Sequence, residues 1–144
     1  MSEKVQKAFE LFHDGFNCCQ AVAGAFCEQL GADRQWVLKI AGGVGGGMRC
    51  GEVCGAVSGA VMVIGLKYGQ YIKEDKDSKQ RCYDITSQFM EEFAKRKGTV
   101  LCRDLLGYDI RDYEKRKSIP GRQKEVCPKA IETAVLILEE MGFR

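Results

Sequence analysis

Apolar residues recur at three- and four-residue spacing along most of the chain. Val5, Ala8, Phe9 and Phe12 set the pattern near the start, Ile85, Phe89 and Phe93 repeat it at every fourth position, and Ile131, Ala134, Val135 and Leu138 carry it near the end. No segment alternates with the period of two that a half-buried strand requires. The spacing predicts helices over about 3–13, 17–30, 33–41, 51–68, from the charged turn at 70–77 to about 97, over 99–107 and from 127 onward. Local chemistry supports several ends: Asn17, Asp33 and Thr99 are capping residues, and Gly31 and Gly107 are stops. The expectation is an all-α, single-domain bundle of about six helices spanning residues 1–144.

Five glycines surround Val44 at positions 42, 43, 45, 46 and 47, just before the fourth helix. Each would cost a helix about 1 kcal/mol relative to alanine, so this run reads as a loop, or as a place where the backbone passes close to something. No strand precedes it and no Gly-Lys-Ser/Thr closes it, which removes both phosphate-binding fingerprints. Residues 108–124 are charged, contain Pro120-Gly121 and show no period, and read as an exposed connection; Cys127-Pro128 then reads as the start of the last helix. Gly55 and Gly59, four apart, read as a tight contact between helices, and Trp36 as a core residue.

Composition narrows the function classes. A formal charge of +2, with basic residues spread along 144 positions, gives no footprint for nucleic acid. The N-terminus mixes charges with apolar residues and lacks the form of a secretory signal. The longest apolar stretch, 53–66, is interrupted by Gly55, Ser58, Gly59 and Gly65 and is shorter than the roughly 20 residues that cross a bilayer. A cytoplasmic location without membrane insertion is expected. A lone histidine, His13, excludes Ser-His-Asp or Cys-His catalysis, and reads as a cation at a helix C-terminus.

Eight cysteines therefore stand out. A chain of this length needs no disulfide staples, and a reducing compartment points instead to metal binding or thiol chemistry. There is no C-x-x-C pair for a zinc ribbon or for covalent haem. Instead, Cys18, Cys50 with Cys54, Cys102 and Cys127 each fall in or just before the first turn of an expected helix. Unpartnered N–H groups and the helix dipole favour an anion there, so lowered thiol pKa values are expected. Converging helix starts would also suit an iron–sulfur cluster. Cys50 and Cys54 would share a helix face if the helix began before Cys50. Cys27 and Cys82, in mid-helix without a motif, read as small buried hydrophobes.

Gly15-Phe16-Asn17-Cys18-Cys19-Gln20-Ala21-Val22, the glycine run, Cys54-Gly55-Ala56-Val57-Ser58-Gly59, and cysteines at 102 and 127 together resemble the C_GCAxxG_C_C family. The resemblance implies a redox-active protein of a kind common in anaerobes, with four characteristic cysteines. Carried onto this chain they are Cys18, Cys54, Cys102 and Cys127, as redox thiols or as metal ligands, with Cys50, Gly47 and Gly55 as further cofactor-binding candidates. Alanine is more typical at position 19, so Cys18 and Cys19 both stand for the first thiol. A similar helical module in a multihaem cytochrome that binds an iron–sulfur centre points to a cluster here.

Three readings follow. The first is an iron–sulfur or other metal protein for electron transfer with an unidentified redox partner. The second is a metal-free thiol–disulfide or sulfur-transfer protein. The third is a structural zinc module. A homodimer fits any of them.

Overall fold

Capping chemistry sets the first helices in this computed structural model, which describes all residues 1–144. Helix α1 (Glu3–His13) starts where Ser2 accepts a hydrogen bond from the Val5 amide, and buries Val5, Ala8 and Leu11. Its last residue, His13, brings Nδ1 within 2.6 Å of the Phe9 carbonyl oxygen. Helix α2 (Cys18–Phe26) begins with a reciprocal capping box between Asn17 and Gln20, and nearly all of its residues are buried. Helix α3 (Arg34–Ile40) is capped by Asp33 but buries no residue. Trp36 is 64% exposed, which corrects its reading as core. Its apolar ring was the only signal for burial, and no other element covers that helix face.

Helix α4 (Gly55–Tyr68) crosses α2 at the centre of the molecule, and α1, α5 (Lys76–Lys97) and α8 (Arg122–Glu140) pack around this pair. The close crossing depends on Gly59, where a Cβ would stand 2.7 Å from the Cys19 carbonyl oxygen. Phe89 and Phe93 from α5, and Ile131, Val135 and Leu138 from α8, complete the main core. No helix is long and apolar enough to cross a membrane.

The chain is all-helical, with eight α-helices where about six were expected. Two are short: α6 (Cys102–Leu106) and α7 (Tyr113–Ser118). Helix α7 lies inside the segment read as a connection and buries nothing, so its sequence carries no apolar period. The same segment is not wholly exposed, since Tyr108 and Ile110 are buried. Thr99 is not the cap of α6; its hydroxyl accepts from the Leu101 amide and donates to Asp104.

The last helix starts at Arg122, five residues before Cys127, from a left-handed Gly121. Pro128 is thus inside the helix rather than at its first turn. The carbonyl it leaves without a partner belongs to Lys124, an exposed residue in the first turn, where water can satisfy it.

Candidate functional site

One antiparallel backbone bridge, between Val53 and Leu101, joins the segment before α4 to the segment before α6. The Cys54 amide donates to the Val100 carbonyl and the Cys102 amide to the Glu52 carbonyl, both at 2.7 Å. Arg103 strengthens the join through Glu52 and the Gly51 carbonyl. Two cysteines 48 positions apart in sequence thereby become neighbours at the starts of two helices.

Between them and α2 lies a cavity of about 160 Å³. Cys18 from α2, Cys54 from the start of α4, Cys102 from α6 and Cys127 from α8 all line it. Its apolar walls are Phe12, Leu105, Leu106, Ile110, Val126 and Ala130. Asn17, Gly46, Arg49, Gly55 and Gln123 complete the lining, and no Asp or Glu is among them. The Nε2 atom of Gln123 is buried and has no hydrogen-bond partner.

The glycines explain how the walls close. Gly55 lies directly against Cys18, where a Cβ would collide with the sulfur. Gly47, at φ +63°, packs against the Glu52 backbone and the Cβ of Cys102. It supports the cavity wall from behind and does not line it, unlike Gly55. Gly45 packs onto Asn17, whose Nδ2 donates to the Gly42 carbonyl at 3.1 Å, so the glycine run, expected as a loop, forms short helical turns packed against the start of α2.

Cys18 and Cys19 occupy different surroundings. Cys18 lines the cavity, whereas Cys19 is fully buried with its thiol 3.7 Å from the Met62 sulfur. Cys50 does not share a helix face with Cys54. It lies in an irregular turn at φ −140°, α4 begins only at Gly55, and its thiol faces the Gly47 carbonyl outside the cavity lining. Cys27 is buried, with its thiol directed at the Gly24 carbonyl, and Cys82 packs against the core.

Burial overrides the helix dipole. It raises Cys54 far above the ordinary thiol range, and negative charge on Cys18 or Cys102 raises it further, although the Ala56 and Val57 amides favour its thiolate. Cys102 is pushed up to about 11 by burial, then by Cys18 and Asp109, with Arg49 acting in the opposite sense. Cys127 is pushed up to about 12 by burial and by the charges of Cys18 and Cys102. The expected lowering is therefore reversed for these three. Cys127 also lacks a helix-start position, since it is in the second turn of α8.

All eight cysteines are free thiols. No three His, Cys, Asp or Glu side chains are grouped closely enough to hold a single metal ion. The four thiols instead surround a volume, next to a buried amide donor without a partner. Cys18, Cys54, Cys102 and Cys127 could together hold a polynuclear thiolate centre, which nearby N–H donors would stabilise.

Sequence reasoning missed Arg49, Ile110 and Gln123. Arg49 left one signal, its place directly after the glycine run, whereas Gln123 and Ile110 lie in the segment read as a connection. No curated protein and no solved structure matches the chain. The family profile described as "Putative redox-active protein (C_GCAxxG_C_C)" matches residues 16–141. That span contains all four cavity cysteines, and the chain belongs to the C_GCAxxG_C_C family.

Proposed function

We propose that Cys18, Cys54, Cys102 and Cys127 hold a metal centre through their thiolates, specifically an iron–sulfur cluster, and that the protein transfers electrons through it. The observation that carries this reading is the convergence of four cysteines, from four separate segments, on one cavity of about 160 Å³. When bound, such a cluster supplies reversible one-electron chemistry at a potential set by hydrogen bonding and solvent exposure.

The chain's own residues prepare for that role. Phe12, Leu105, Leu106 and Val126 keep the cavity apolar. The Ala56 and Val57 amides lie close to Cys54 at the start of α4, where they favour the thiolate that a metal requires. Burial and mutual repulsion make bare thiolates at Cys54, Cys102 and Cys127 unfavourable, and a cationic metal core offsets both.

The same features weigh against the other readings. A closed zinc site gathers its ligands around one point, and no group of three donors is so arranged. Thiol exchange requires an accessible thiolate, whereas burial holds Cys54, Cys102 and Cys127 protonated near neutral pH.

The test is iron and acid-labile sulfide content, with the visible spectrum, of protein purified without oxygen. Stoichiometric iron and sulfide with broad visible absorption, lost in Cys54→Ala, is the expected result. A colourless protein free of both would overturn the reading and put thiol exchange in front.

A further inference from the structure

Among its mostly apolar walls the cavity carries two polar side chains with hydrogen-bond donors that the fold does not use, Arg49 and Gln123. Arg49 reaches it from a turn in which two successive non-glycine residues are left-handed, Met48 at φ +57° and Arg49 at φ +62°. Such backbone is sparsely populated and persists where surrounding contacts impose it. Gly46, also on the wall, makes room for the guanidinium, because a Cβ there would stand 2.9 Å from Arg49 Nη1. None of the molecule's ion pairs includes Arg49. On α8, Gln123 lines the same cavity, and its buried Nε2 has no acceptor in the protein. An unpaired guanidinium and an unpaired amide donor, at a cavity without a carboxylate, are complementary to negative charge.

We propose that Arg49 and Gln123 act as a donor pair facing the centre held by the four cysteines, and that they set its reduction potential by stabilising its more negative, reduced state. The inference rests on the reading of a thiolate-bound cluster given above. Neither residue is a metal ligand in this proposal. Reduction adds one electron, taken from a one-electron reductant such as dithionite, and neither makes nor breaks a bond to the chain. The added negative charge sits among apolar walls, and Arg49, an exposed residue that also lines the cavity, attracts it from the solvent side. Arg49 and Gln123 are thus tuning and positioning residues.

The experiment compares wild type, Arg49→Gln, Arg49→Lys and Gln123→Leu after anaerobic reconstitution with iron and sulfide. Iron and sulfide content, circular dichroism and a dithionite titration followed by visible absorption and electron paramagnetic resonance are the readouts. The expected result is full loading of Arg49→Gln with reduction about tenfold less favourable, equivalent to a midpoint about 59 mV lower for one electron. Gln123→Leu shifts the midpoint in the same direction by less, and Arg49→Lys restores most of the wild-type value. Failure of Arg49→Gln to load, when Arg49→Lys loads normally, overturns the proposal, since the charge would then be needed to assemble the centre and not to set its potential. Unchanged potentials in a fully loaded Arg49→Gln overturn it while leaving the cluster reading intact, and equal loss of loading in Gln and Lys variants also overturns it. A wild-type protein that takes up no iron overturns both readings.

Discussion

Gly55 lies against the sulfur of Cys18, so that any side chain at position 55 would collide with Sγ. The glycine of the Cys54-Gly55-Ala56 segment is therefore part of the cavity as well as of the α2–α4 crossing. Gly55→Ala, at the first position of α4, gains less than the roughly 1 kcal/mol of helix propensity found in a helix interior and forces the sulfur or the helix aside at a cost of about 1–3 kcal/mol. Urea unfolding of the metal-free protein is expected to show a net loss, with reduced iron uptake. Gly65→Ala is the control: a Cβ there would meet nothing within 4 Å, and the backbone φ is not left-handed. It should raise stability by about 0.5–1 kcal/mol.

Cysteine variants should divide by cavity position. Serine at 18, 54, 102 or 127 is expected to reduce bound iron and sulfide severalfold, measured after anaerobic purification. Serine at 50 or 82 should leave both within error, because neither residue lines the cavity. An iron loss in Cys50→Ser equal to that in Cys54→Ser would refute this division.

Alkaline pH should destabilise the metal-free protein. Cys102 and Cys127 keep their protons in the folded chain up to about 11 and about 12, because burial raises both. An unfolded thiol loses its proton near about 8.5. Above that value the folded state binds more protons than the unfolded one, so stability falls as pH rises. The contribution is complete below about pH 8.5 and is lost on rising through about 11 to 12. Urea midpoints at pH 8 and pH 10 should differ more in wild type than in the Cys102→Ala, Cys127→Ala double variant, which removes these two titrations.

The strained turn offers a separate stability test. Met48 is 64% exposed and left-handed, so its side chain contributes little packing to offset its backbone cost. Met48→Gly should stabilise the metal-free protein by about 0.5–1 kcal/mol in urea unfolding, after allowance for the greater freedom of glycine in the unfolded chain. Iron uptake should remain unchanged.

Several features of the fold and site were legible in the residues. The apolar period identified the main helices, and Asn17, Asp33 and Gly107 marked ends that the structure places as expected, whereas α2 ends at Phe26 and Gly31 instead closes a 3-10 turn over Glu28–Leu30. Two expectations failed at α8 because a left-handed Gly121 began the helix early and an exposed Lys124 carbonyl tolerated Pro128. Helix α7 was hidden because none of its residues is buried.

By itself the sequence determined the helical class, the starts of α1, α2, α3 and α5, several helix stops, and the order of the four cysteine segments. These follow from forces that act within a few residues: capping hydrogen bonds, glycine conformation and the spacing of apolar side chains along a turn. Tertiary structure alone decided that Cys18 and not Cys19 lines the cavity, that Cys50 lies outside it, and that Arg49 and Gln123 join its wall. It also reversed the thiol electrostatics, because a helix dipole can be read from a local start, whereas desolvation depends on which distant segments close over the sulfur. The bridge between Val53 and Leu101 is such a long-range contact, and through it the chain brings Cys54 and Cys102 to one cavity.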